Sequence, residues 1–118
     1  MPRPFNRATS RYGLEASALL GQMIRSGRLE RRITALEMAT RMGSSRGLIQ
    51  RIEKGDPACA IGSVFEAAAI AGVALFDADP AVESDKNRLS ARRAQAGEML
   101  RLLPKSARKP RTVVKDDF

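Results

Sequence analysis

Two short helical segments that meet at Gly43 constrain this sequence more than any other feature. The first begins at Thr34-Ala-Leu-Glu, a capping-box pattern in which the Thr hydroxyl and the Glu carboxylate each accept a hydrogen bond from the other's backbone amide. It would close at Gly43, because glycine readily takes the left-handed conformation that ends many helices. The second follows the capping residues Ser44-Ser45 and stops at Gly55. The pattern predicts two consecutive short helices joined by a tight turn.

The small and apolar residues around this turn have the offsets of a helix-turn-helix motif. Ala39 lies four residues before Gly43, Ile49 lies six after it, and Ile52 lies three further on. A small residue at position 39 lets the two helices cross closely, and the two isoleucines would bury the inner face of the second helix. The outer face of that helix would then carry Arg46, Gly47, Gln50 and Arg51.

Residues of these types on an exposed helix suit the major groove of DNA. An arginine can donate two hydrogen bonds to guanine, and a glutamine can pair with adenine. An ordinary helical hairpin with a solvated basic face fits the same spacing, so the spacing alone leaves both interpretations open.

Helical periodicity and chain breakers predict three further helices, and no strand pattern is strong. One runs from about Leu14 to about Arg31, a second covers about Ile61 to Ala71 before Gly72, and a third covers residues 83–103. The end of the last helix carries an apolar stripe at helical spacing, made of Ala96, Met99, Leu100 and Leu103. We therefore predict an all-α fold with five helices.

Charge is distributed unevenly along the chain, whose formal net charge is +8. Residues 14–54 hold eight bases and four acids, whereas residues 55–80 hold four acids and no Lys or Arg. The two ends are basic as well. A polyanion such as nucleic acid suits the basic parts, and a solvated basic face that binds nothing is the alternative. We expect the acidic segment to face away from DNA.

The absence of His and the single Cys exclude much enzyme chemistry. A Ser-His-Asp or Cys-His relay and a His-containing metal site cannot be built, so we expect no enzyme, no cofactor and no metal. Cys59 is interpreted as a space-filler, and Asp77 and Asp79 as turn residues. No apolar run has the length of a signal peptide or a membrane span, which predicts a soluble cytoplasmic protein. DNA binding would place it at the nucleoid.

The stretch LGQMIRSGRLERRITALEMATRMGSSRGLIQRIEKG resembles the Xre family of bacterial and phage repressors, over about Leu20 to Val73. The resemblance implies a five-helix lambda-repressor-like fold in which the third helix is the recognition helix. It also implies a structural pair between Arg28 and Glu53, and phosphate contacts from the amides at Ile61 and Gly62. The residues predicted to bind DNA are Thr34, Ser44, Ser45, Arg46, Gly47, Gln50, Arg51 and Lys54.

Three positions depart from the family pattern. Ala35 stands where a Gln usually grips DNA, and Ser44 replaces a Val of the turn. Gly47 occupies a position that often reads a base. These departures predict that specificity depends on Arg46, Arg51 and the shape of the DNA.

A narrower resemblance lies beyond the motif. The stretch EKGDPACAIGSVFEAAAIAGVALFDADP, together with LLPKSARKPR and the terminal Lys-Asp-Asp-Phe, is similar to HipB-type antitoxins. That similarity implies a homodimer that represses its own operon at a palindromic double-stranded operator and holds a HipA-type kinase toxin inactive. Phe65 and Phe76 would then be core or dimer contacts.

The predicted organisation has four parts. A flexible basic arm covers residues 1–13, a helix-turn-helix DNA-binding domain covers 14–80, a helix for dimer or partner contact covers 81–103, and a flexible basic tail covers 104–118. Two alternatives to the antitoxin stay open. One is a stand-alone or phage-type repressor without a toxin, and the other is a protein-interaction adaptor that does not bind DNA.

Overall fold

A computed structural model describes residues 9–107 of the chain, and this range contains five α-helices and no strand. The helices are α1 (Arg11–Glu30), α2 (Ala35–Met42), α3 (Arg46–Glu53), α4 (Ile61–Ala71) and α5 (Glu83–Arg101). The predicted all-α class is confirmed. The outer parts of the predicted arm and tail, residues 1–8 and 108–118, lie outside the described range.

Helix α1 begins three residues earlier than the sequence pattern predicted. The Ser10 hydroxyl accepts a hydrogen bond of 3.0 Å from the amide of Gly13, which satisfies one of the free N–H groups at the start of a helix. Arg11 through Gly13 are therefore helical and do not belong to the predicted flexible arm. The predicted boundary at Leu14 was wrong because it followed the apolar periodicity and overlooked the capping serine.

The caps of α2 and α3 follow the local sequence. Both halves of the predicted capping box form, with 3.0 Å from the Glu37 amide to the Thr34 hydroxyl and 2.7 Å from the Thr34 amide to the Glu37 carboxylate. Gly43 has a φ of 63°, in the left-handed region. The Ser45 hydroxyl accepts from the amide of Leu48 at 3.1 Å and starts α3.

The core lies among α1 to α4. The largest fully buried side chains are Ile24 of α1, Met38 of α2 and Ile49 of α3, one from each of three helices. Helix α4 contributes mainly alanines, which let it lie close to the others. The buried apolar residues are Ile24, Ile33, Met38, Ala39, Ile49, Ile52, Ala67, Ala68, Ala71, Val73 and Ala78.

Two glycines of α1 bring its backbone against neighbouring helices. A Cβ added at Gly21 would lie 2.5 Å from the carbonyl oxygen of Ile52 and 2.7 Å from that of Glu53. A Cβ at Gly27 would overlap the carbonyl oxygen of Ala71. Helix α1 is therefore in backbone contact with the ends of both α3 and α4, and a side chain at either position would separate them.

Within residues 9–107, the side-chain hydrogen bonds that attach helix α5 to the rest of the protein lie in its first half. The Asp85 carboxylate accepts from the Asp79 amide at 2.8 Å, and Arg88 and Arg92 donate to the carbonyls of Asp77 and Phe76 at 2.6 and 2.7 Å. Every residue of α5 beyond Asp85 is exposed. The attachment uses polar groups, so α5 projects from the bundle instead of packing into it.

The end of α5 differs slightly from the prediction of residues 83–103. The helix stops at Arg101, and Leu102 and Leu103 form a turn with hydrogen bonds to the carbonyls of Met99 and Leu100. Pro104 explains the difference, because a residue that precedes proline is disfavoured in the helical conformation.

We predict that Gly21→Ala destabilises the protein by about 1–3 kcal/mol, although alanine is normally the better helix former, because the added methyl meets the backbone of α3. Gly62→Ala is the matched control, since nothing lies within 4 Å of a Cβ at that position. Urea unfolding of both variants measures the difference. Equal stability of Gly21→Ala and wild type would contradict the close approach of α1 and α3.

Candidate functional site

Helix α3 has a sharp division between a buried and an exposed side. Ile49, Ile52 and Glu53 are buried, and the residues between them point to solvent. Because the helix completes a turn every 3.6 residues, the exposed side forms one continuous face. The residues of α3 and its C-cap that the sequence predicted to bind DNA are all exposed, namely Arg46, Gly47, Gln50, Arg51 and Lys54. We call this set the α3 face.

Two of the three hydroxyl residues of the predicted site act in helix caps, Thr34 and Ser45. The hydroxyls of Thr34 and Ser45 both accept backbone hydrogen bonds that start α2 and α3. Ser44 is half-buried, and its amide donates to the carbonyl of Ala39 at 2.8 Å. Thr34 and Ser45 remain exposed at the starts of α2 and α3, whereas Ser44 belongs to the turn.

Gly47 leaves an open position in the middle of the α3 face. A Cβ added there would meet only the Ser45 hydroxyl, at 3.8 Å. No tertiary packing therefore requires glycine at this position. The lack of a side chain leaves the backbone of α3 uncovered at this position.

Arg51 forms an ion pair that the sequence analysis did not predict. Its Nε donates to Asp56 Oδ2 at 2.9 Å, while both of its Nη nitrogens donate to no group in residues 9–107. Asp56 had been assigned to the acidic segment turned away from DNA. The chain after α3 brings the carboxylate of this residue back to the α3 face.

Asp56 is itself held firmly by the loop that follows α3. Its Oδ1 accepts from the Ala58 amide at 2.9 Å, and its own amide donates to the carbonyl of Arg51 at 3.0 Å. The Ala58 amide and then the Arg51 guanidinium hold the pKa of Asp56 below its usual range. The hydrogen bond to Asp56 in turn raises the pKa of Arg51. Arg51 is thus oriented by a fixed carboxylate.

Arg28 and Glu53 are buried together beneath the α3 face. Arg28 donates from Nε to Glu53 Oε2 at 2.6 Å and from Nη2 to Oε1 at 3.0 Å, a two-pronged pair. Its Nη1 donates to the carbonyl of Ile33 at 2.9 Å. The hydrogen bond to Glu53 raises the pKa of Arg28 against the lowering effect of burial. Three segments, α1, α3 and the loop before α2, are joined at this point.

The start of α4 presents an uncapped helix end. Ala60 precedes the helix and makes no side-chain cap, and Ile61 and Gly62 are exposed.

The half-buried Cys59 lies between α3 and α4 and packs against the core. Burial raises the pKa of its thiol, so the reactive thiolate is disfavoured at neutral pH.

Comparison of the chain with protein-family models, with curated proteins and with solved structures finds no match. Among residues 9–107, no group of three or more Cys, Asp or Glu side chains is placed to hold a metal ion. No helix in this range has both the length and the apolar character needed to cross a membrane.

We predict that Glu53→Gln costs about 3 kcal/mol of unfolding free energy, because it leaves the buried Arg28 guanidinium without its counter-charge. Glu66→Gln, an exposed change of the same chemistry on α4, should stay within about 0.5 kcal/mol of wild type. Chemical denaturation measures both. A Glu53→Gln protein as stable as Glu66→Gln would show that the pair does not join the helices.

Acid should remove the stabilisation that Asp56 provides. Because the pKa of Asp56 is lowered in the folded protein, the ionised carboxylate stabilises the fold at pH values above its unfolded pKa of about 3.9. This stabilisation is lost as the pH falls through the lower pKa of the folded protein. We expect wild type to melt higher than Asp56→Asn at neutral pH and the gap to close in acid. Thermal unfolding across the acid range tests this, and a constant gap would contradict it.

Proposed function

We propose that this protein binds double-stranded DNA in a sequence-specific manner through α2 and α3, which act as a helix-turn-helix unit with α3 as the recognition helix. The main support for this proposal is the α3 face. Basic and amide side chains are exposed there, while the opposite side of the same short helix is buried. A helix held in this way can enter the major groove without disturbing the core.

The α3 face would read base edges with three side chains. Arg46 and Arg51 would each donate two hydrogen bonds to a guanine, and Gln50 would pair with an adenine. Arg51 suits this role because its Nε donates to Asp56, so that both Nη nitrogens would be available to donate to one base. Gly47 would let the backbone approach the groove, so that part of the specificity comes from the shape of the DNA.

Phosphates on either side of the groove would be bound by groups at the ends of helices. Lys54 is exposed at the C-terminal end of α3 and would act as a point charge. The uncapped amides at Ile61 and Gly62 would use the positive end of the α4 dipole. The hydroxyls of Thr34 and Ser45 would add contacts from the starts of α2 and α3. These contacts position the protein and carry no sequence information.

We further propose that the protein acts as a dimeric repressor and as the antitoxin of a HipA-type kinase toxin. The sequence resemblances described above support both roles. A two-fold symmetric dimer would place two α3 helices about one DNA turn (~34 Å) apart on a palindromic operator. Co-purification with a kinase encoded next to this gene distinguishes an antitoxin from a stand-alone repressor.

The decisive experiment is a titration with the promoter upstream of the protein's own gene against random DNA of equal length, at physiological salt. The proposal requires a clear preference for the promoter. Equal binding to both would leave the chain as a non-specific binder, and no binding would favour the adaptor without DNA-binding activity.

We expect Arg46→Ala to weaken operator binding by about 1–3 kcal/mol and to flatten the base preference at one position, because a forked contact to guanine is lost. Lys86→Gln, which removes a positive charge from the exposed surface of α5, is the control and should change little. Binding to a panel of singly substituted operators measures both effects. A loss of equal size on random DNA would refute direct readout by Arg46.

Lys54→Ala should weaken binding to all DNA sequences alike, since its proposed contact is a phosphate. The negative slope of log K against log salt concentration should decrease in magnitude by about one, because one fewer counterion is released on binding. Fluorescence anisotropy at several salt concentrations measures the slope. An unchanged slope would remove Lys54 from the phosphate contacts.

A further inference from the structure

The two arginines of the α3 face differ in how their side chains are held. Arg46, in the first turn of α3, is exposed, and no hydrogen bond or ion pair joins its side chain to any group in residues 9–107. Arg51, in the last turn, donates from Nε to Asp56 Oδ2 at 2.9 Å. The same residue type thus occurs twice on one short helix, once with a carboxylate partner and once without.

The backbone that carries Asp56 is fixed on two sides. Its amide donates to the carbonyl of Arg51 at 3.0 Å, and its carbonyl accepts from the amide of Cys59 at 3.3 Å. The preceding residue, Gly55, has a φ of 82°, and a Cβ added there would lie 2.6 Å from the Cα of Ala18. The loop after α3 is therefore hydrogen-bonded to α3 and packed directly against the backbone of α1.

The carboxylate of Asp56 is oriented as well as its backbone. Oδ1 accepts from the Ala58 amide at 2.9 Å, which directs Oδ2 toward Arg51. An ordinary exposed ion pair contributes little because two long side chains must be ordered to form it. Here the acid is short and already held, so the ordering cost falls on Arg51 alone. No other Lys or Arg in residues 9–107 lies within ion-pair distance of Asp56.

The contact to Asp56 limits which edge of the Arg51 guanidinium is free. A guanidinium can donate a fork either from its two Nη nitrogens or from Nε and one Nη. Because Nε of Arg51 donates to Asp56, only the first fork stays available. That fork matches the O6 and N7 acceptors of one guanine. Arg46 has no such restriction and can present either edge.

The charge of Asp56 discriminates between the two kinds of group that DNA offers to an arginine. Phosphates are anionic, so a carboxylate next to the guanidinium disfavours them by repulsion. The acceptor atoms of a guanine edge are uncharged and suffer much less from the same neighbour. Non-specific binding depends almost entirely on phosphates, so Asp56 opposes it more than it opposes base recognition.

We propose that Asp56 is a positioning residue that sets the specificity of DNA binding without touching DNA: it directs the free fork of Arg51 toward one guanine and keeps this arginine from phosphates. The inference rests on the proposed function, in which Arg51 reads a base. It adds a residue outside the α3 face that determines how selective that reading is.

The test uses the full chain and an operator that wild type selects from a library of random DNA duplexes. Arg46→Ala and Arg51→Ala, measured on singly substituted operators, identify the base pair that each arginine reads. Asp56→Asn keeps an oxygen for the Ala58 amide and removes the charged acceptor of Arg51. It should lower the preference at the Arg51 base pair by about five- to tenfold, part of what a forked arginine contributes, and leave the Arg46 base pair unchanged. Binding to random DNA should become tighter.

Two controls separate this role from a structural one. Glu66→Gln removes an exposed carboxylate from α4 and should leave both base preferences as in wild type. In the Arg51→Ala background, Asp56→Asn should have no further effect on base preference, because its effect passes through Arg51. Circular dichroism melting sets an assay temperature at which every variant is folded.

Three results would overturn the inference. They are an unchanged preference of Asp56→Asn at the Arg51 base pair, an equal loss at both base pairs, which indicates a displaced α3, and an effect that persists without Arg51. A selective wild type with any of these results contradicts the role of Asp56 alone. A wild type that selects no sequence from the library would contradict the proposed function and this inference together.

Discussion

The position of α3 depends on the buried ion pair between Arg28 and Glu53. The two-pronged contact takes one charge from the end of α1 and one from the end of α3, and Arg28 also binds the carbonyl of Ile33 just before α2. The small size of Gly21 brings the two backbones close enough for the pair to form. Burying both charges is favourable only when they are matched, so this contact fixes how α2 and α3 lie on α1.

Once α3 is placed, the chemistry of its outer face follows from the chain that leaves it. The left-handed Gly55 turns the backbone, and Asp56 then returns to orient Arg51. An arginine on a free helix surface samples many rotamers, and the fixed carboxylate limits them. A pre-oriented donor loses less entropy on binding, which would strengthen the base contact proposed for Arg51.

The bundle of α1 to α4 and the projecting α5 are stabilised differently. The bundle buries apolar side chains around Ile24, Met38 and Ile49, whereas α5 is attached by Asp85, Arg88 and other polar contacts to the loop before it. This division separates the α3 face from the loop that joins α4 to α5, which Arg88 and Arg92 hold.

The sequence by itself determined the all-α class, the five helices and the caps at Thr34, Gly43 and Ser45. These features depend on interactions within four residues, which are present wherever the chain lies. It missed the cap at Ser10 because the apolar periodicity starts later. Only the tertiary structure decided that Arg51 meets Asp56 and that Phe76 lies outside the core, because both depend on how loops return to helices after α1 to α4 have packed.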